Sequence, residues 1–173
     1  MPPVMWVLRS TIREKWVRFY TLPEGKQFPT KPNETEIIIY RYNAVANTIF
    51  EHDEMVWLVL AVPIETDRSV YEDNFISLHN FVHIGQEELT DTGGDVEVVE
   101  LYYKFIKSKK NKLDNIYTAV MNEDIPQVLF ISNTGDMFAP YAGGIDIIIN
   151  DERRLDAIRS SFRDWLSDRD DGL

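Results

Sequence analysis

The chain has 173 residues, no cysteine and a formal net charge of -11. That length suits one domain with a substantial core, and an apolar share of 44% excludes wholesale disorder. The absent cysteines exclude disulfides, thiolate chemistry and cysteine-ligated zinc, which suits a reducing compartment, and the acidity disfavours phosphate-rich partners.

The opening "MPPVMWVLRSTIREKW" has no secretory pattern: its apolar part is short, no basic residue precedes it, and Arg9 and Arg13 interrupt the residues after it. No stretch reaches the roughly 20 apolar residues that cross a bilayer, so the expectation is a soluble cytoplasmic protein. Pro2 and Pro3 open a short helix with Val4, Leu8 and Ile12 at helical spacing. "WVRFYTL", Trp16 to Leu22, alternates as a strand, and the breaker-rich "PEGKQFPTKPN" reads as a loop.

The clearest helix comes next. Asn33 is its expected cap and Glu36 its third residue, close to a capping box. Ile38, Tyr42, Val45 and Ile49 share one face. "MVWLVLAV", Met55 to Val62, lacks polar interruption and predicts a central strand buried on both faces. Residues 64–94 are the least regular, with "DTGGD" as a turn. "VEVVELYYKFI" predicts a strand, and Asn111 and Asp114 start a helix that turns Leu113, Ile116, Tyr117 and Val120 inward.

"QVLFIS" and "DMFAPYA" form two strands around "NTG", whose glycine supplies the positive φ of a hairpin. "IDIII" is a further strand. Asn150 and Asp151 cap a last helix lined by Leu155, Ile158, Phe162 and Trp165. Gly143 and Gly144 lead into a strand rather than a helix, so they make a turn, not a phosphate cradle. The expected fold is α+β: a mostly antiparallel sheet of about five or six strands packed by three or four helices. One domain spans 1–173, with a frayed tail over 168–173.

Chemistry has few candidates. On a helix, His79, His83 and Glu87 would share a face at metal-ligand spacing, but Gly85 and the non-zincin Asn80 weaken that reading, and a strand would separate them. Asp146, flanked by isoleucines, is a catalytic acid only if its face is buried; otherwise its side is wet, or an arginine such as Arg153, Arg154 or Arg159 pairs with it. No nucleophile elbow, P-loop or dinucleotide fingerprint occurs, and no cofactor is implied. Lys104, Lys107, Lys109, Lys110 and Lys112 read as a solvated strand end rather than a nucleic-acid site. Trp6, Trp16, Trp57 and Trp165 fall at apolar positions and are expected in the core.

Between Ser69 and Tyr103 there is no lysine or arginine. Glu72, Asp73, Glu87, Glu88, Asp91, Asp95, Glu97 and Glu100 fall in that segment, and Phe75 and Phe81 offer apolar anchors among them. Such a face steers a basic protein.

"PYAGGIDIII" followed by "FRDWLSDRDDGL" resembles the C-terminal end of small uncharacterised bacterial proteins in which a Y-D-G-G-x-D hairpin precedes a helix ending in W-L. "WVRFYTL" and "YRYNAVANTIFEHDEMVWLVL" are similar to their early strand, helix and buried strand. Ala142 stands where those proteins usually have aspartate. The resemblance carries no established activity, although some such proteins resemble the small acidic partners of bacterial toxins. The leading expectation is therefore a non-enzymatic immunity or antitoxin-like protein that neutralises a basic toxin through its acidic surface, without nucleic acid or membrane. The alternatives are a metal-binding module or small metal-dependent enzyme using His79, His83 and Glu87, and a structural or regulatory subunit of a homo-oligomer.

Overall fold

A computed structural model describes residues 2–65, 80–90, 95–108, 113–125 and 127–168. Chain order is α1 (Met5–Thr11), β1 (Trp16–Tyr20), α2 (Pro32–Ile49), β2 (Glu54–Pro63), β3 (Val82–Thr90), β4 (Val96–Ser108), α3 (Asp114–Met121), β5 (Gln127–Ile131), β6 (Met137–Tyr141), β7 (Gly144–Ile148) and α4 (Glu152–Ser161). The seven strands make one sheet in the order β1-β7-β6-β5-β2-β4-β3, and every pairing is antiparallel. The fold is α+β, with one or two strands more than expected.

The extra strand is β3. It escapes pattern reading because it does not alternate: Val82, His83 and Ile84 are all exposed, and a bulge shifts the register between His83 and Gly85.

Period two decides which residues meet the main core. Val56, Leu58, Leu60 and Val62 of β2 point to the same side as Phe130, Phe138, Ile145 and Ile147. There they meet Ile38, Tyr42, Val45 and Ile49 of α2, Tyr117 and Val120 of α3, and Leu155 and Ile158 of α4. Each buried aliphatic or aromatic side chain of this kind stabilises by about 1.5–3 kcal/mol. Within that core Tyr42 donates from its hydroxyl to the Tyr141 carbonyl at 2.8 Å, and burial holds its phenol well above the usual range.

Among the described helices, α1 alone packs on the sheet's other side, in two smaller clusters. Met5 and Leu8 sit with Trp16, Val59, Leu129, Ala139 and Ile148. Val4, with Trp6 and Val7 beside it, meets Ala61, Leu89, Val99 and Leu101. Seven residues of helix span only about 10 Å, too short to cover the whole face.

Local caps differ in detail from the sequence reading. α2 begins two residues earlier, with Pro32 at its first position and Lys31 as cap, so Asn33 is exposed and not the cap. Glu34, not Glu36, closes the box: its carboxylate accepts from the Lys31 backbone N–H at 3.0 Å and from the Thr30 backbone N–H at 2.6 Å. Asp151 caps α4 as expected, accepting from the Arg154 backbone N–H at 2.8 Å. Among the described residues no helix is long and apolar enough to cross a membrane.

Candidate functional site

One cross-strand register defines the open part of the face that carries α1. Phe105 pairs with Trp57, Trp57 with Ile131, Ile131 with Met137, Met137 with Ile148, and Ile148 with Trp16. Residues directly opposite share a side of the sheet, so six apolar side chains form one row across six strands. α1 covers the β7–β1 end, where Ile148 and Trp16 are buried. The other end is open: Trp57 is 36% and Phe105 45% exposed. The Trp57 ring lies 3.8 Å from Phe105 and 4.9 Å from Tyr103, centroid to centroid. Met55 and Val82, both exposed, extend the patch along the strands. The expectation of a core position fails for Trp57, because β2 is buried on both faces only from Leu58 to Val62.

The acidic segment does not form one undivided surface. The pleat turns Glu87 and Glu97 toward the α1 side, as their partners Val99 and Leu89 show, and Glu88 to the opposite side with Val98. Both glutamates on the α1 side are exposed, as is Asp95. Glu100 is a correction: it is only 6% exposed, accepting from Tyr102 Oη at 2.6 Å and Gln86 Nε2 at 3.1 Å. It serves the sheet rather than a partner. Phe81 likewise is half-buried against the main core and is no free anchor. Glu72, Asp73, Phe75 and Asp91 lie outside the described residues.

The histidine spacing also reads differently on a strand. The bulge places His83 opposite Tyr102 and Glu87 opposite Val99, so the two point to opposite sides of the sheet. His83 packs its ring 5.0 Å from that of Tyr102. His79 lies outside the described residues. Among those that are described, no cluster of histidines and carboxylates has metal-binding geometry. Lys104 and Lys107 stand on β4, while Lys109, Lys110 and Lys112 lie outside the described residues.

Asp146 is buried, and its partner is not on the last helix. Arg18 faces it directly across β1 and β7 and donates from Nε to Oδ1 at 2.8 Å and from Nη2 to Oδ2 at 2.9 Å. Arg9 of α1 stands 3.8 Å from Oδ2. The Arg18 guanidinium lies 5.3 Å from the Trp16 ring centre and 5.2 Å from that of Tyr141. Of the arginines expected there, Arg154 instead binds Asp136, and Arg159 reaches Asp156 and the Trp16 carbonyl. No pattern in the sequence links Arg18 to a residue 128 positions away; the sheet register makes that link.

The two adjacent glycines complete this corner. Gly143 takes a φ of +91°, which a side chain would strain. Gly144 has ordinary dihedrals, but a β-carbon there would collide with the Tyr141 hydroxyl and ring. The hairpin is thus a turn that lays a tyrosine over a bare strand residue beside the buried ion pair.

A family model described as a domain of unknown function (DUF3885) matches residues 4–170. Comparison with curated proteins and with solved structures finds no match.

Proposed function

The chain belongs to the DUF3885 family, and we propose that it is a non-enzymatic protein-binding protein of the immunity or antitoxin type, which covers a basic partner in the cytoplasm. The observation that carries this reading is the open apolar row. A chain that leaves Trp57, Phe105, Met55 and Val82 exposed on one stretch of sheet has a surface suited to burial against a protein. Large aromatic side chains are the residues on which such interfaces concentrate their energy.

Charge supports a basic partner. The chain carries -11, and Glu87, Glu97 and Asp95 are exposed at the other end of the β3–β4 hairpin from the aromatic patch. The two features divide the labour: the apolar row anchors, and the carboxylates steer and align. The partner-binding set is therefore Trp57, Phe105, Met55 and Val82 with Glu87, Asp95 and Glu97. Glu88 lies on the far side of the sheet and takes no part in that face.

The test is protection in cells. Proteins that co-purify with the chain from its native host are identified and each is produced alone in a heterologous cell. A toxic one should be neutralised by the wild-type chain and not by Trp57→Ser/Phe105→Ser, with Glu88→Lys as a neutral control. If no such protein is toxic, or the double variant protects fully, the immunity reading fails. Light scattering of the pure chain separates this from self-association, since a stable homodimer that hides Trp57 would place a second copy on the row instead.

A further inference from the structure

The turn that ends α3 places a carboxylate in a conformation that usually belongs to glycine. The Asp124 backbone N–H donates to the Ala119 carbonyl at 2.8 Å, and the Glu123 N–H to the Val120 carbonyl at 3.1 Å. Those two bonds close a helix around a left-handed residue, which here is Glu123 at a φ of +59°. A β-carbon is strained there, and glycine would relieve it. Strain of this kind is characteristic of functional positions.

Glu123 lines a cavity of about 390 Å³ between α1 and the end of α3. Val4 and Trp6 of α1, Val99 of β4 and Ile125 contribute apolar walls, and Glu97 is the second carboxylate. That size is at the lower end of small-molecule sites, which span about 300–1,000 Å³. We infer that this cavity binds a small organic monocation, a primary amine with an apolar body, its ammonium drawn by Glu97 and Glu123 and its body against Trp6.

The lining sets the sign of the charge. No lysine or arginine is among its described residues; Arg9 and Arg18 line a neighbouring cavity. Neither Glu97 nor Glu123 has an ion pair or a side-chain hydrogen bond among the described residues. An amine therefore meets two carboxylates that have no cation yet. Trp6 is half-buried, and the arginines that lie over aromatic rings sit at Trp16, Tyr141 and Trp165 instead. An ammonium beside the Trp6 indole adds a cation–π attraction. Apart from Gln127 and Tyr141, the remaining described walls are apolar, so a second charge would lose water without gaining a partner.

Glu97 also belongs to the exposed acidic set of the proposed interface, whereas Glu123 and Trp6 do not. A change at Glu123 thus tests the cavity without touching that interface, and either reading can fail alone.

The experiment titrates the pure full-length chain with 4-phenylbutylamine, and separately with 4-phenylbutanol, 4-phenylbutyrate and Nα-acetyl-lysine methylamide. Calorimetry and indole fluorescence read the binding. Saturable millimolar or tighter binding of 4-phenylbutylamine is expected, with a change in indole emission. The alcohol and the acid should bind at least about tenfold more weakly, and so should the lysine derivative, whose body is polar. Glu123→Gly should weaken the amine about tenfold while the melting temperature holds or rises, because glycine relieves the left-handed turn. Trp6→Leu should weaken it as well. The inference is overturned if 4-phenylbutylamine does not saturate, if any of the other three compounds binds as tightly, or if Glu123→Gly leaves its affinity unchanged.

Discussion

Arg18 and Asp146 stand opposite each other on β1 and β7 and share two hydrogen bonds, with side chains only 9% and 3% exposed. Each charge was removed from water to be there, and each is tolerated because the other is present. Arg18→Met alone, or Asp146→Leu alone, leaves a buried charge without its main partner and should cost about 3–5 kcal/mol. Replacing both should cost much less than the sum, and urea unfolding of the four proteins in the cycle reads this directly. Additive losses would show that the pair contributes little.

Gly144 and Tyr141 form a second coupled pair. Gly144→Ala puts a methyl group where the Tyr141 ring lies, and overpacking of this kind costs about 1–3 kcal/mol. Adding Tyr141→Ala should recover most of the Gly144→Ala loss, because the obstruction is then gone. Thermal melts of the single and double variants check the sign: Gly144→Ala should cost less with Tyr141→Ala than without it.

These pairs also mark the limit of what is legible in the chain. Patterns that close within one or two turns read correctly, except at the start of α2, where Lys31 and not Asn33 is the cap. The α2 stripe of Ile38, Tyr42, Val45 and Ile49 is buried, Gly135 makes the β5–β6 turn with a φ of +79°, and Asp151 caps α4. Relationships that depend on distant chain do not read. Arg18 meets Asp146 only through sheet order, so the sequence points to arginines nearby in the chain instead. Trp57 resembles a core residue until the short reach of α1 is known. The run of carboxylates looks like one face, but the pleat sends Glu87 and Glu88 to opposite sides and buries Glu100. β3 lacks alternation, and its bulge undoes the spacing of His83 and Glu87.

Arg154 ties three segments together. It donates to Asp136 in the β5–β6 turn and to the carbonyls of Thr48 and Ile49 at the end of α2. Asp136 is 2% exposed and also accepts from the Asn150 backbone N–H at 2.8 Å. Arg154→Ala should destabilise by about 1–3 kcal/mol, since it strips a buried carboxylate of its cation. Arg154→Lys should rescue only a part, because an ammonium lacks the planar fork that reaches three acceptors. Guanidinium unfolding midpoints compare the three proteins.

Glu34 gives a pH signature. The Lys26 ammonium and the backbone N–H groups of Thr30 and Lys31 hold its carboxyl down at about 2, against an ordinary 4.5. A carboxyl depressed on folding adds stability that is complete above about pH 4.5 and is lost as pH falls through about 2. The loop between Lys26 and Lys31 should therefore stay docked through mild acid and detach near the lower value. Carbon-detected NMR of the Glu34 carboxyl should show its midpoint there, and Glu34→Gln should flatten the acid limb of the stability curve between those two pH values.

The open row of apolar side chains is the surface on which the proposed function stands or falls. Its sharpest test is calorimetric titration of the wild-type chain into the toxic protein that the co-purification experiment identifies, with Trp57→Ser/Phe105→Ser and Glu87→Lys/Glu97→Lys alongside. A one-to-one complex is expected, weakened about thirtyfold or more by the aromatic changes. The charge reversal should slow association and reduce its sensitivity to salt. A complex of unchanged affinity after loss of both aromatic side chains, in a variant that melts like the wild type, would refute the binding role of the row.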